Sequence, residues 1–424
     1  MSDTHDAVHE ELRIDVGRLL ARIDELGEIG RLDGPHGEWG SARLALTDAD
    51  GAGRDLVVAW MRDLGLDVAI DGIGNVVATR RGTDPTLAPV MSGSHIDTVG
   101  TGGRFDGILG VLAALEVAET LEQHGIETRR PFQVAFFTDE EGARFAPDML
   151  GSLVYVGGMA LEEALDVIGV DGARLGDELA RIGYAGPLPC PTQAAPHAFV
   201  ELHIEQGPIL EDEGVTIGVV ESVQGISWTE ITIVGQSAHA GTTPMRLRHD
   251  PAYCVGAITT YVRDLTRRMG GQQVATVGRV ELHPNLTNVV PARAALTVDL
   301  RNTDDGVLAE AESLLASYLT ELAADEGVEI TSRSLARFAP VPFDGALVDR
   351  VEAVATRLGH TTRRMPSGAG HDAQMLARIC PAAMIFTPSV DGISHNIAEF
   401  TAATDIAAGA NTLLHVLLEQ LNSA

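Results

Sequence analysis

Apolar residues recur at helical spacing through Leu12, Val16, Leu19, Leu20, Ile23 and Leu26, which predicts an amphipathic helix over 11–27 that ends near Gly27. A second helix is expected from Gly53 to Leu64, stopped by Gly65. Asp67–Asp71 and Asn75–Arg80 then read as a pair of strands turned by Asp71-Gly72-Ile73-Gly74. Two short apolar runs, Pro89-Val90-Met91 and Val134-Ala135-Phe136-Phe137, have the pattern of buried strands, and Gly107–His124 between them reads as a helix closed by Gly125. Strands alternating with helices in this way predict an α/β fold.

The rhythm changes from about Val223 to Ser334. Ser227–Val234 alternates like a strand, Asp250–Met269 is helical, Gln273–Leu282 and Ala294–Leu300 are strands, Asp304–Ala324 is helical and Val328–Ser334 is a last strand. The order β-α-β-β-α-β is that of a split, ferredoxin-like α+β unit. It holds most of a core of its own, so the chain is expected to divide into a first domain over 1–222, an inserted domain over 223–335 and a return to the first over 336–424. The return carries a helix Ala346–Leu358, a glycine-rich loop Ser367-Gly368-Ala369-Gly370, a helix from Asp372 and a strand Ala382–Phe386.

Composition narrows the partners. A chain of 424 residues is too long for one ordinary core, in keeping with two domains. A formal charge of −30 argues against nucleic acid or an anionic membrane, since neither attracts such a surface. Cys190, Cys254 and Cys380 are scattered and odd in number, which argues against a disulfide framework or a cysteine-based zinc site. The acidic start, Met1 to Glu11, lacks the basic-then-apolar order of a signal peptide, and no apolar stretch approaches the ~20 residues that cross a bilayer. A cytoplasmic location is the default expectation.

The chemistry gathers where the predicted strands stop. Gly93-Ser94-His95-Ile96-Asp97 and Gly102-Gly103-Arg104-Phe105-Asp106-Gly107 follow the first apolar run, and Thr138-Asp139-Glu140-Glu141-Gly142 follows the second. In open α/β sheets ligands bind at that edge. Residues two apart on an extended segment face the same way, so His95 can offer one ring nitrogen to a metal while Asp97 holds the other. Taken singly, the pair also fits a surface contact at a strand end. Asp106, among glycines that permit a sharp turn, has two oxygens with which to bridge two ions. Glu140 and Glu141 point different ways, so one can bind metal while the other serves as a general base. Crowded together, these carboxylates would need a cation to neutralise them. His203, on one face of an alternating run, and His395, after another strand, complete a nitrogen and oxygen donor set suited to Zn²⁺, Mn²⁺, Co²⁺ or Ni²⁺.

Beyond these clusters run His203-Ile204-Glu205-Gln206-Gly207, His239-Ala240-Gly241-Thr242-Thr243-Pro244-Met245, Asn288-Val289-Val290-Pro291, Asp299-Leu300-Arg301, Ser367-Gly368-Ala369-Gly370-His371-Asp372-Ala373 and Ser394-His395. The whole series resembles the M20-type amidase/hydantoinase–carbamoylase family, which includes N-carbamoyl-L-amino acid hydrolases, allantoate amidohydrolases and β-ureidopropionases. The likeness covers nearly the whole chain and shows no departure at the presumed ligand positions.

The resemblance implies a metallopeptidase-like catalytic domain, a mixed sheet flanked by helices, interrupted by a lid or dimerisation domain. It implies two divalent metal ions per subunit, one held by His95 and His203 and the other by Glu141 and His395, with Asp106 bridging. Asp97 would orient His95 and Glu140 would activate the water. Gln206, Gln224, His239, Asn288, Arg301 and His371 would contact a ureido or N-acyl amino acid substrate, with His239 reaching a neighbouring subunit's site in a homodimer built through the inserted domain. Read without the family, Arg301 fits equally as a partner of Asp299 or Asp304, Asn288 as a turn cap, and His239 as a prop for the Gly-Thr-Thr loop.

The expected reaction is cleavage of the carbamoyl amide of an N-carbamoyl-L-amino acid to amino acid, CO₂ and ammonia. Allantoate, ureidoglycolate, 3-ureidopropionate or N-acyl amino acids are alternative substrates. A metallo-dipeptidase or a non-catalytic binding protein fits the motifs less well.

Overall fold

The computed structural model describes residues 11–192 and 194–423, so Met1 to Glu10 of the acidic start lie outside the described residues. The chain forms two compact units, one running to Glu221 and resuming at Phe343, the other Ser222–Pro342. In chain order the first unit contributes α1 (Val16–Gly27), α2 (Asp48–Asp63), β1 (Asp67–Ile70), β2 (Val76–Arg80), β3 (Val90–His95), α3 (Ile108–Gln123), β4 (Phe132–Phe137), β5 (Ala198–Ile204) and β6 (Ile217–Val223). The second contributes β7 (Gly225–Val234), α4 (Pro251–Met269), β8 (Val274–His283), β9 (Arg293–Asn302), α5 (Asp305–Glu326) and β10 (Glu329–Phe338). The chain then returns with α6 (Gly345–Arg357), β11 (Thr362–Ser367), β12 (Ala382–Thr387) and α7 (Ala403–Leu421).

The sheet of the first unit runs β6-β12-β5-β3-β4-β2-β1, with β11 also against β6. Its centre, β12-β5-β3-β4, is parallel, and the flanking pairs are antiparallel. A parallel centre needs cover on both faces, and β3, β5 and β12 are buried along their whole length. α3 and α7 supply part of that cover, α3 buried almost throughout and α7 through its centre, Thr412–Leu418. The expected helix over 11–27 is shorter than its apolar spacing suggested. Leu12 and Ile14 are buried in an extended lead-in tied to α7 by the bond from Ile14 N to Asn411 Oδ1, and Asp15 caps the helix by accepting from Arg18 N.

Two fully buried arginines pin the loops that follow the central strands. Arg43 donates to the main-chain oxygens of Ile96 and Leu26 at 2.7 and 2.9 Å, and burial pulls its guanidinium down to about 10. Arg54 pairs with Asp50 at 2.8 Å and donates to Gly74 O and Thr138 Oγ1. A buried ion pair contributes little by itself, but here Arg54 also holds the backbone turn at Gly74 and the Thr138 side chain at the end of β4.

The second unit has strand order β8-β9-β7-β10, antiparallel throughout, with α4 and α5 packed on one side. Ile231 and Ile233 of β7 and Leu296, Val298 and Leu300 of β9 alternate into the core against Cys254, Ile258, Val262 and Leu265 of α4 and Leu308 and Leu315 of α5. Asp250 and Asp304 cap the two helices. β10 extends to Phe338 and the unit to Pro342, beyond the expected boundary at 335, because Ala336, Arg337 and Phe338 continue the pairing with β7. Among the described residues no helix is long and apolar enough to cross a membrane.

Candidate metal centre and cleft

All of the donors sit at the carboxyl ends of the four parallel strands. His95 is the last residue of β3 and His203 lies near the end of β5, while Glu140 and Glu141 follow β4 and His395 follows β12. The Gly107 turn allows Asp106 to approach them. Its φ is +68°, and a Cβ there would fall 2.3 Å from His95 Nε2.

Asp106 stands at the centre with its two oxygens divided between two groups. Oδ1 lies 3.2 Å from His203 Nε2 and 3.7 Å from His95 Nε2. Oδ2 lies 3.4 Å from His395 Nε2, whose other neighbour is Glu141 Oε2 at 3.2 Å. His95–Asp106–His203 and Asp106–Glu141–His395 therefore form two triads of potential donors, each within 4.8 Å. Glu140 belongs to neither, although its Oε2 is 3.4 Å from His95 Nε2.

The electrostatics fit a cationic occupant. Burial, then the nearby Asp106, pushes the Glu141 carboxyl up to about 8, and burial holds the Glu140 carboxyl well above the usual carboxylate range. Burial alone would raise Asp106 as well, but hydrogen bonding to His203, His395 and His95 holds it well below its usual range. His395, bonded to Asp106, is pushed up to about 9. The protein itself thus draws protons onto imidazoles and carboxylates to balance charge, which is the work a divalent cation does at such a set of nitrogen and oxygen donors.

Asp97 does not hold His95 in the way the sequence suggested. The Nδ1 of His95 meets the main-chain oxygen of Asp97 at 3.0 Å, whereas the carboxylate is 3.8 Å away. That carboxylate instead accepts the N–H groups of Glu140 and Glu141, each at 3.3 Å. Asp97 therefore orients the ring through its carbonyl and clamps the Glu140-Glu141 loop through its side chain. The strand ends bend sharply, with Asp139, Gln206 and His395 at φ of 56°, 57° and 54°, a region non-glycine residues rarely occupy.

Asp106, Glu140, Glu141, His203, Gln206, His371 and His395 line a cleft of about 100 Å³. Gln206, expected to meet substrate, donates from Nε2 to Asp106 Oδ2 at 2.7 Å, while its buried Oε1 has no hydrogen-bond partner among the described residues. His371 packs edge-on against His203 with ring centroids 4.5 Å apart, and its Nε2 is 2.9 Å from Ser367 Oγ.

The other expected contacts lie in the second unit. His239 and Asn288 are neighbours there, because Ala238 and His239 pair with Val290 and Val289 and Ala240 N bonds Asn288 O. Nδ1 of His239 accepts from Gly241 and Thr242 at 3.0 and 3.2 Å, so the neutral ring carries its proton on Nε2. Arg301 makes a forked pair with Asp299, the shortest contact 2.8 Å. Gln224 is buried just ahead of β7.

Sequence reading missed the contacts of Glu201, and of Ser394, whose Oγ lies 2.9 Å from Asp106 Oδ2. Glu201 is buried and accepts from Ser94 Oγ at 2.6 Å and Ala373 N at 2.8 Å, tying β5 to β3 and to the helix that follows His371. In the sequence Glu201 is marked only as a polar position two before His203 in the same alternating run.

The family model for Peptidase family M20/M25/M40 matches residues 91–419. An N-carbamoyl-L-amino-acid amidohydrolase of Rhizobium meliloti is 41% identical over 97% of both chains. An allantoate amidohydrolase of Escherichia coli is 37% identical over 84% of this chain and 87% of its own. A crystal structure of an amidase of the hydantoinase/carbamoylase family from Burkholderia multivorans superposes with a TM-score of 0.94 at 47% identity, covering 97% of this chain and 99% of that one. The motifs at the strand ends, the fold that gathers them and these likenesses extend over the same residues, and the chain belongs to peptidase family M20/M25/M40.

Proposed function

We propose that the protein is a binuclear metal-dependent amidohydrolase that cleaves the carbamoyl amide of N-carbamoyl-L-amino acids. The observation that carries this reading is the division of Asp106 between two donor triads, with a further buried carboxylate, Glu140, at their edge. The amidohydrolase relatives supply the substrate class. His95, His203 and Asp106 Oδ1 would hold one divalent cation, and Glu141, His395 and Asp106 Oδ2 the other. When bound, such a pair supplies positive charge that polarises the carbonyl and lowers the pKa of water.

The remaining work falls to the chain. Glu140 takes a proton from water as its oxygen adds to the ureido carbon, and returns it to the amino acid nitrogen as the C–N bond breaks. The carbamic acid released then divides into CO₂ and ammonia. Gln206 steadies Asp106 with its amide nitrogen and presents its carbonyl oxygen to a substrate N–H. We assign the substrate's carboxylate to Arg301, its ureido group to Asn288 and Gln224, and the developing oxyanion to the Nε2–H of His239. The second unit would act as the lid and as the contact in a homodimer.

Arg301→Ala is expected to raise KM about 10- to 100-fold with kcat nearly kept, the effect of losing a charged, forked hydrogen bond. Steady-state kinetics with an unchanged KM would remove Arg301 from the site. The substrate class is tested by ammonia and free-amine release from N-carbamoyl-L-amino acids, allantoate, 3-ureidopropionate, N-acyl amino acids and dipeptides. Turnover of the N-carbamoyl compounds above the rest is the expected result. Preference for allantoate would move the protein toward its allantoate amidohydrolase relative, and amine release without ammonia would move it to acylase or peptidase chemistry.

A further inference from the structure

Glu399 belongs to neither donor triad and has no part in the proton transfers, yet it is 2% exposed and touches two of the three loops that carry the second triad, those of Asp106 and His395. Its Oε1 accepts the main-chain N–H groups of Phe105 at 3.0 Å and Asp106 at 3.1 Å. Its Oε2 is 3.1 Å from Ser394 Oγ, which is 2.9 Å from Asp106 Oδ2. Gly103 makes room for this approach, since a Cβ there would fall 2.1 Å from Glu399 Oε1. The adjacent Phe400 packs edge-on against Phe105, with centroids 5.9 Å apart and planes at 86°.

These contacts constrain the one residue whose orientation both triads share. A carboxylate turns easily about its last bond, and the pairing of Oδ1 with one triad and Oδ2 with the other is lost if it does. We propose that Glu399 is a positioning residue for Asp106. It fixes the backbone through the two N–H groups and limits the carboxylate's rotation through Ser394, whose one hydroxyl proton lies between Glu399 Oε2 and Asp106 Oδ2, and by joining residues 103–106 to 394–399 it keeps His395 opposite Oδ2. What this requires is the hydrogen bonds. A glutamine could make them too, accepting the N–H pair with its oxygen and donating to Ser394 Oγ with its nitrogen.

The inference rests on the metal reading above, and the test separates the two. The parent, Glu399→Gln, Glu399→Ala and Ser394→Ala are stripped of metal and titrated with Zn²⁺ against a chromophoric chelator, with melting of each metal-free protein measured alongside. Glu399→Ala is expected to bind Zn²⁺ about 10- to 100-fold more weakly, the usual effect of losing a residue that orients a ligand. Glu399→Gln should recover most of that loss, and Ser394→Ala should show part of it without a matching fall in melting temperature. A folded Glu399→Ala with the parent's affinity overturns the inference, as does a Glu399→Gln as impaired as the alanine variant. If Glu399→Ala does not fold, Ser394→Ala decides, and parent-like affinity there overturns it. A parent that binds no Zn²⁺ overturns the metal reading itself.

Discussion

Glu140→Gln is expected to lower kcat by about 10²- to 10⁴-fold, the range of a lost general base, and to leave metal content unchanged. The side chain keeps its shape and its amide oxygen, so the variant removes little but the capacity to take a proton. Glu140 lies outside both triads, 3.4 Å from His95 Nε2, and its main-chain N–H is held by Asp97. Glu140 is 8% exposed, and burial holds its carboxyl above the usual carboxylate range. Ammonia release beside metal analysis of the same sample checks both halves. Full activity would take the proton-transfer role away, and loss of metal with loss of activity would make Glu140 a ligand.

Asp106→Ala should act on both metals at once. Its carboxylate alone is common to the two triads, so its removal leaves two imidazoles on one side and one imidazole with one carboxylate on the other. Such pairs fall short of the three protein ligands usual in catalytic sites. Activity is expected to fall to background, and metal content to well below that of the parent under equal loading. By contrast, His395→Ala should spare the His95–Asp106–His203 triad. If Asp106→Ala retained full metal, the division of its oxygens would not carry the meaning given to it here.

The residues that bring chemistry to the cleft were legible because the sequence punctuates them. His95 closes a strand that opens on an apolar run, Glu140 follows another within three residues, and Asp106 stands among glycines whose freedom serves a close approach. The second unit was equally readable, since Ile231, Ile233, Leu296, Val298 and Leu300 alternate cleanly and the helices facing them keep a 3–4 spacing. α7 escaped notice for the opposite reason. Its centre, Thr412–Leu418, is buried without a break, so the run there shows no helical period. Extending α1 back to residue 11 counted Leu12 as part of its apolar face, whereas Leu12 and Ile14 are buried at strand spacing ahead of the Asp15 cap.

Side-chain partnerships were less accessible than elements. That His95 leans on the carbonyl of Asp97 rather than its carboxylate depends on one loop's dihedral angles. That Glu399 holds Asp106 depends on a contact across 293 positions of sequence. For Arg301, partnership with Asp299 was one of the readings the sequence left open, and the two form a forked pair on β9.

Two cations shared through Asp106 are expected to make this site an amidohydrolase. The most direct measurement is to strip the protein of metal and follow ammonia release from an N-carbamoyl-L-amino acid as Zn²⁺, Mn²⁺ or Co²⁺ is returned in steps with bound metal counted at each. No turnover is expected without metal, and the rate should reach its plateau only as the second equivalent binds. Turnover by the stripped protein, or a plateau at a single equivalent, would contradict that expectation.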